Sequence, residues 1–283
     1  MSLSWAISVL CMVAFFAQWA GAAQVLRYNI ATEPETLDPT KATGIPEATV
    51  ILNCFDGLLR HNVERNEIAS RTAERWEVSP DGLTYTFHLR DSVWSDGQPV
   101  TAYDFEFAYR RILDPAVAAE YAVMLYYLDG AEEYNTGKEK DPSRVGVRAP
   151  GPRTLQLRLR APTPYFLQLL GHQCYMPLPR HVVERNPDWS LTPSSYVSNG
   201  PFVLADWRHN DRLILRKNER CWDAGNVVLD EVIVRTIQSV STEMAMFETG
   251  ELDVTYQVPT EAIARLRLLP TFRSRPEIGT YFV

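Results

Sequence analysis

The sequence DGLTYTFHLRDSVWSDGQPVTAYDF, residues 81–105, contains a strand, a turn and the start of a helix in direct succession. Just before it, residues 79–82 read SPDG and place proline and glycine where a type I turn prefers them, which predicts a hairpin. From Thr84 to Arg90, apolar side chains alternate with polar ones, the period of two expected of a half-buried strand. The Asp-Gly pair at 96–97 predicts a second turn.

A helix is predicted to follow this turn. Thr101 stands three residues before Asp104, the spacing of a capping box in which the carboxylate reaches back to the cap residue. Phe105, Tyr109 and Ile112 then recur at helical spacing and predict a buried face. Residues 81–112 therefore predict a strand, a turn and an amphipathic helix in direct succession.

The rest of the chain mixes further strands and helices, with no internal repeat. The predicted strands lie at 24–31, 76–78, 144–148, 154–160, 202–207, 212–216 and 231–237, and the predicted helices at 47–59, 165–170 and 242–249. The helix at 242–249 ends at Gly250, which suits a left-handed cap. This order predicts a mixed α/β chain whose sheets are not one regular doubly wound array.

Composition excludes several classes of protein. The chain has 283 residues, of which 46% are hydrophobic and 22% charged, as expected of a globular protein that buries a sizeable core. Its net charge is −7. Because phosphate binding needs a concentrated basic surface, we expect no nucleic-acid partner.

The N-terminus predicts export from the cytoplasm. Residues 1–23 contain no charged side chain, and an apolar run at 3–16 precedes the small residues AGAA at 20–23. This pattern predicts a secretory signal cleaved near Ala22. The alternative is an uncleaved membrane anchor, since no lysine or arginine precedes the apolar run.

Three cysteines remain after the signal: Cys54, Cys174 and Cys221. An odd number leaves at least one unpaired in an oxidising compartment. No two cysteines have the C-x-x-C spacing of a zinc or redox site. Since apolar or aromatic residues flank Cys54 and Cys221, we expect small buried hydrophobic side chains rather than a disulfide or a metal site.

Motifs of catalysis are not found. No two glycines stand two apart, as a dinucleotide fingerprint requires, or four apart, as a nucleophile elbow requires. The five histidines show no H-x-x-x-H spacing for zinc. We therefore expect no enzyme activity, no cofactor and no metal.

The order of the motifs resembles one family. Residues 86–105 are similar to the signature of the extracytoplasmic solute-binding proteins of peptide-type ABC transporters, family 5, with the oligopeptide-binding branch nearest. Six further motifs follow the family's order: LDP at 37–39, FDGL at 55–58, AERW at 73–76, NGPF at 199–202, CW at 221–222 and GELD at 250–253. The resemblance covers essentially everything after residue 24.

The resemblance implies a periplasmic binding protein-like α/β fold of type II, in the peptide-binding cluster. Residues 24–55 and 181–283 would form a first lobe, and 56–180 a smaller inserted α/β domain. Residues 280–283 match the point where the family enters a second lobe through a hinge strand. The expected fold is therefore truncated, with the second lobe absent.

The implied function is that of the substrate-binding component of an ABC peptide importer. Such a protein captures oligopeptides in the periplasm as a monomer and delivers them to membrane permease subunits. Because the family binds the charged ends of a peptide mainly with the second lobe, we expect this chain to bind peptides weakly or not at all. The alternatives are a sensor or scaffold module without transport, and a binder of a non-peptide ligand such as a metal chelate or haem.

The resemblance also names candidate ligand-binding residues. Thr43, Gly44 and Ile45 match the first-lobe segment that pairs with the ligand backbone, and a glycine there would let a peptide approach closely. Tyr121 matches a tyrosine of the inserted domain that faces the cleft; a plain core tyrosine is the alternative. The cleft floor would include Tyr256 and Gln257.

Overall fold

The computed structural model describes residues 23–62, 65, 67–270 and 272. The predicted signal, apart from its last residue, and the match to a hinge strand at 280–283 lie outside these residues. Within the described part of the chain, no helix is both long and apolar enough to cross a membrane.

The described residues form strands, α-helices and short 3₁₀ turns. The strands are β1 (Val25–Asn29), β2 (Leu59–Asn62), β3 (Glu67–Ser70), β4 (Ala73–Val78), β5 (Thr84–Leu89), β6 (Val147–Gly151), β7 (Thr154–Arg158), β8 (Phe202–Arg208), β9 (Arg212–Lys217) and β10 (Glu231–Arg235). The α-helices are α1 (Ile45–Cys54), α2 (Ala102–Leu113), α3 (Ala131–Asn135), α4 (Phe166–Leu169), α5 (Arg180–Val183), α6 (Val240–Glu248) and α7 (Ile263–Leu266). The 3₁₀ turns are Glu120–Leu125, Pro142–Arg144, Gln173–Tyr175, Ala224–Asn226 and Thr260–Ala262.

One antiparallel sheet contains the strand predicted at 84–90. Its order is β4-β5-β7-β6. The predicted alternation is confirmed, since Tyr85, Phe87 and Leu89 of β5 are buried. Phe87 faces Leu155 of β7 across the ladder, and Leu155 is also buried. Cross-strand apolar pairs of this kind stabilise one face of the sheet.

The predicted helix is confirmed as α2, which packs on this sheet and contacts β6 and β7. Asp104 accepts hydrogen bonds from the backbone N–H of Thr101 at 2.8 Å and from its hydroxyl at 2.9 Å, so the carboxylate reaches back to the cap residue. Phe105, Tyr109 and Ile112 are fully buried. The capping residues and the apolar face therefore fix both the start and the orientation of the helix.

The second four-stranded sheet has the order β1-β10-β9-β8. β1 pairs with β10 in parallel, whereas the other neighbours are antiparallel. β1 precedes the residues of the first sheet in the chain and β8 to β10 follow them. A smaller domain inserted into a first lobe would require this arrangement, and the boundaries 56–180 remain a prediction.

Three predicted elements have boundaries that are wrong by three residues or more. The strand predicted at 76–78 begins at Ala73. The helix predicted at 47–59 begins at Ile45 and ends at Cys54, because Phe55 adopts an extended conformation and residue 59 begins β2. The strand predicted at 144–148 begins at Val147. Residues 142–144 form a 3₁₀ turn instead, because the Asp141 carboxylate accepts the backbone N–H of Ser143 at 2.9 Å.

An aromatic cluster surrounds Phe55 at the end of α1. Its ring packs edge-on against Trp94 at 6.2 Å, Trp189 at 6.3 Å and Tyr196 at 5.7 Å between centroids. Trp94 belongs to the sequence 81–105, whereas the other two rings come from the chain after residue 181. The cluster therefore joins residues 81–105 to the chain after residue 181, and aromatic pairs of this geometry contribute beyond their buried area.

The Asn-Gly pair at 199–200 forms hydrogen bonds with the backbone of residues 54 and 56 beside this cluster. The Asn199 side chain donates to the carbonyl of Asp56 at 2.9 Å and accepts its N–H at 3.0 Å. Gly200 donates to the carbonyl of Cys54 at 2.7 Å, and a Cβ on Gly200 would lie 2.6 Å from that carbonyl carbon. Only glycine fits so close an approach of two backbones.

The Asp56 carboxylate is buried and fully partnered. Arg71 donates two hydrogen bonds to it at 2.9 Å, and the indole N–H of Trp222 donates at 3.1 Å. Burial alone would lower the pKa of the Arg71 guanidinium, but Asp56 beside it outweighs that effect and raises the pKa. The paired geometry compensates the burial of both groups.

The three described cysteines, Cys54, Cys174 and Cys221, are free and buried, in agreement with the expectation of small apolar side chains. Burial raises the pKa of each thiol. The described residues contain no cluster of three or more histidine, cysteine, aspartate or glutamate side chains that could hold a metal ion.

Candidate ligand-binding site

The predicted ligand segment lies at the N-terminus of α1. Gly44 is the cap residue and Ile45 is the first residue of the helix. The side chain of Ile45 is 64% exposed. The segment therefore presents backbone and one apolar side chain at the surface.

The glycine at position 44 is explained by space rather than by backbone angle. Its φ is −86°, which any residue can adopt. A Cβ added there would lie 2.0 Å from Oε2 of Glu47. The glycine lets the carboxylate of Glu47 fold back over the first turn of the helix, where negative charge is favourable.

Glu47 is a residue that the sequence analysis missed. Its side chain is only 5% exposed, and its Oε1 accepts the backbone N–H of Glu35 at 2.7 Å. It therefore ties the loop before α1 to the first turn of that helix. An acidic side chain at the third position of a helix that opens with proline was the available signal.

The carbonyl groups of this segment are held by side chains from distant parts of the chain. Gln173, buried to 3% exposure, donates to the carbonyl of Ala42 at 3.0 Å. The hydroxyl of Tyr121 donates to the carbonyl of Thr43 at 2.9 Å. Inside α1, the hydroxyl of Thr49 donates to the carbonyl of Ile45 at 2.8 Å.

The backbone N–H groups of the same segment, unlike its carbonyl groups, have no hydrogen-bond partner among the described residues. The groups concerned are the N–H of Thr43, Gly44 and Ile45. This is expected at the start of a helix, where the first N–H groups have no partner within the helix. The segment therefore offers donors to a ligand while its acceptors are already occupied.

The structure thus brings two predicted site residues, Tyr121 and Thr43, into direct contact. Tyr121 lies in the 3₁₀ turn Glu120–Leu125 and is half-buried. Its ring also packs edge-on against His172 at 5.3 Å. The hydroxyl holds the carbonyl of Thr43 in place, and the side chain thus contacts both this segment and His172, which lie far from it in sequence.

His172, whose ring packs against Tyr121, is a neutral side chain at neutral pH. Burial lowers the pKa of its imidazole. Its Nδ1 accepts the backbone N–H of Cys174 at 3.3 Å and lies 3.0 Å from the sulfur of that residue. Since burial also raises the pKa of Cys174, the two groups form an uncharged pair at neutral pH.

Tyr256 lines a cavity of about 240 Å³ together with Tyr28 and Thr49, the latter a residue of α1. Its backbone N–H donates to the buried carboxylate of Glu243. Its side chain remains 45% exposed. Because Thr49 also binds the carbonyl of Ile45, this cavity lies about one helical turn from the ligand segment.

Gln257 is exposed and is not among the residues that line this cavity. The structure therefore groups Tyr256 with α1 and leaves its neighbour at the surface. Gln173, Glu47 and Thr49 are the residues that sequence reasoning missed.

Known proteins share the sequence and fold of this chain. The model of the family described as "Bacterial extracellular solute-binding proteins, family 5 Middle" matches residues 67–283. The oligopeptide-binding protein OppA of Bacillus subtilis is 40% identical over 263 residues, which are 91% of this chain and 48% of that protein. The chain spans about half the length of the curated relatives it matches.

Solved structures of oligopeptide-binding proteins also match this chain. The substrate-binding domain of an oligopeptide ABC transporter from Bacillus anthracis matches with a TM-score of 0.84 and 34% identity, over 88% of this chain and 48% of that one. OppA of Haemophilus influenzae, in complex with the peptide RPPGFSPFR, matches with a TM-score of 0.83 and 35% identity, over 87% and 48%. The α/β fold is therefore the one seen in peptide-binding periplasmic proteins, and the named relatives are solute-binding proteins rather than enzymes.

Proposed function

The chain belongs to the bacterial extracellular solute-binding proteins of family 5, and on that premise we propose that it is the substrate-binding component of an ABC peptide importer. In this proposal it is exported by its N-terminal signal and captures oligopeptides in the periplasm as a monomer. It then delivers them to membrane permease subunits. Residues 24–55 and 181–283 act as the first lobe, with 56–180 inserted.

One observation carries the proposal to this chain. The segment 43–45 is partly exposed and firmly held, with its carbonyl groups bonded by Tyr121 and Thr49 and its N–H groups free of described partners. Free N–H groups on a fixed, exposed backbone can donate to the carbonyl groups of an extended peptide. These groups are common to all peptides, so the segment can bind ligands of varied sequence.

The other predicted residues have supporting roles in the proposal. Tyr121 holds Thr43 and supplies an aromatic wall. Tyr256 lines the cavity beside α1, and the exposed Gln257 next to it contacts the ligand from the cleft floor. Each adds contact area or a hydrogen bond to a side chain that varies from one peptide to another.

The affinity of these 283 residues alone is expected to be low. Ile45 and Tyr256 are 64% and 45% exposed, so the described surface is open and leaves bound peptide in contact with water. Open sites forfeit buried area and the strengthening of hydrogen bonds that follows exclusion of water. We expect a dissociation constant of about 0.1 mM or weaker for short peptides.

Methyl NMR of the purified chain can test the proposal. Titration with an alanine-rich pentapeptide should shift the methyl signals of Ile45 and Val254, while those of Val78, on β4, serve as the control. Saturation in the millimolar range is the expected result. No shift at any accessible peptide concentration would overturn peptide binding, whereas micromolar or tighter affinity would overturn the low-affinity proposal alone.

A further inference from the structure

The cavity beside α1 differs from the ligand segment in its chemistry. Its volume of about 240 Å³ is bounded by β1, α1 and residues 254–256. Whole small-molecule ligands occupy pockets of about 300–1,000 Å³. This cavity is therefore the size of one side chain rather than of a complete ligand.

No charged side chain lines the cavity. Its apolar wall consists of Leu26, Tyr28, Ile30 and Val254. The nearest charged residues in sequence, Arg27 and Asp253, pair with each other at 3.5 Å. A charged group placed in the cavity would find no opposite charge there.

The polar groups that line the cavity are mostly engaged within the protein. The side chain of Asn29 donates to the carbonyl of Ile237 and accepts two backbone N–H groups. The hydroxyl of Thr49 donates to Ile45, whereas that of Tyr28 is buried and has no hydrogen-bond partner among the described residues. The neutral hydroxyls of Tyr28, Thr255 and Tyr256 therefore remain for an occupant.

From these observations we infer that the cavity is a specificity pocket, which accepts one uncharged apolar side chain of the bound peptide and disfavours lysine, arginine, aspartate and glutamate. The inference rests on the proposed function, because the occupant is part of a peptide held at residues 43–45. Alternate side chains of an extended peptide point to the same face. Thr49 joins the two sites, since it lines the cavity and binds the carbonyl of Ile45.

The physical basis of the selectivity is desolvation. An apolar side chain gains free energy in proportion to the area it buries, whereas a charge that loses water without gaining a partner is penalised. Val254 is the residue whose substitution changes this balance with least harm to the fold. Its side chain is 51% exposed, and its pairing with β1 uses only the backbone.

The test uses the full chain and alanine pentapeptides that carry leucine, phenylalanine, lysine or glutamate at each position in turn. Titration is followed by the methyl signals of Ile45 and Leu26. At one position, leucine and phenylalanine should bind about tenfold more tightly than lysine or glutamate. Equal affinities within about twofold at every position would overturn the pocket but not peptide binding.

A charge substitution sharpens the test. Val254→Lys should weaken binding of the leucine peptide and strengthen binding of the glutamate peptide at that same position, which reverses the preference. Val78→Lys is the matched control, because Val78 is 45% exposed on β4 and the substitution adds the same charge to the protein.

The control should keep the wild-type preference. An unchanged ratio of leucine to glutamate affinity in Val254→Lys, with a normal circular dichroism spectrum, would overturn the assignment. If no peptide binds to the wild-type chain, the proposed function fails and this inference fails with it.

Discussion

The sheet β4-β5-β7-β6 and residues 42–45, which contain the ligand segment 43–45, are held in place by different means. In the sheet, Phe87 and its neighbours two residues away are buried and face other buried residues across a regular ladder. In the segment there is no ladder. The carbonyls of Ala42 and Thr43 are each bonded by one side chain, Gln173 and Tyr121.

We therefore expect the sheet to contribute mainly to stability and the segment mainly to the proposed ligand binding. The sheet distributes its stabilisation over many repeated contacts, so its loss is a loss of the fold. The position of the segment depends on a few hydrogen bonds to residues that are far away in sequence. Substitutions in the two regions should therefore separate unfolding from loss of ligand binding.

The largest expected effect is on the sheet. Phe87→Ala should lower the free energy of unfolding by about 3–5 kcal/mol, because it leaves a cavity in a fully buried site. Urea denaturation followed by circular dichroism measures this. Thr86→Ala, on the opposite face of β5, is the control and should cost less than about 1 kcal/mol. Similar losses for both would contradict the assigned buried face.

The next effect concerns the junction between the two sheets. Asp56→Asn should cost about 3 kcal/mol, because it leaves Arg71, 14% exposed, without its buried counter-charge. Glu77→Gln removes an ion pair of similar length that is 62% and 66% exposed, and should cost under about 0.5 kcal/mol. Thermal unfolding of the two variants would contradict the argument if their losses were equal.

The third prediction concerns Gly44→Ala, a substitution within the ligand segment. The new methyl group meets the carboxylate of Glu47, so we expect a loss of about 1–3 kcal/mol. Combined with Glu47→Ala the cost of the methyl group should largely vanish, which a double-mutant cycle measures. Gly225→Ala, where no atom lies within 4 Å of the added carbon, is the control. Additive losses would show that Glu47 does not set the requirement for glycine.

Tyr121→Phe should affect binding more clearly than stability. The variant loses about 1 kcal/mol of stability with the hydrogen bond to Thr43, and peptide affinity should fall about fivefold as the segment loosens. Tyr103→Phe, on an exposed tyrosine, is the control. Methyl NMR titration provides the affinity, and an unchanged value would remove Tyr121 from the site.

The smallest effect is a pH dependence at His172. Burial lowers its pKa, so the native state favours the neutral ring. This stabilisation is present above the usual pKa of about 6.5 and is lost as the pH falls through the lowered native value. Between about pH 7 and pH 5, wild type should lose more stability than His172→Gln. Tyr121→Phe retains the imidazole and should follow wild type, and parallel curves for wild type and His172→Gln would contradict the sign.

Much of the sheet could be predicted from sequence. The alternation at 84–90 and the helical spacing of Phe105, Tyr109 and Ile112 gave the correct buried faces. The end of α1 could not be predicted in the same way. The chain leaves the helix after Cys54, where Asn199 and Gly200 bind the backbone of the next residues and of Cys54 itself.

The candidate site was predicted only in part. The family resemblance supplied Thr43, Gly44, Ile45, Tyr121 and Tyr256, and the structure joins the first of these to Tyr121 and places Tyr256 at the cavity beside α1. It did not supply Gln173, which bonds to a residue 131 positions away. No periodic pattern connects two such residues, and each alone is an ordinary polar side chain.

Local patterns in the sequence predicted most of the strands, the capped helix and the family, because these depend on neighbours at fixed spacings of two or of three to four residues. Strands β2 and β3 were not predicted. The side chains that hold residues 42–45 and the groups that enclose the uncharged cavity became known from tertiary packing alone. Tyr121 and Gln173 lie 78 and 131 positions from the residues they bond, and local spacing carries no information about such distant partners.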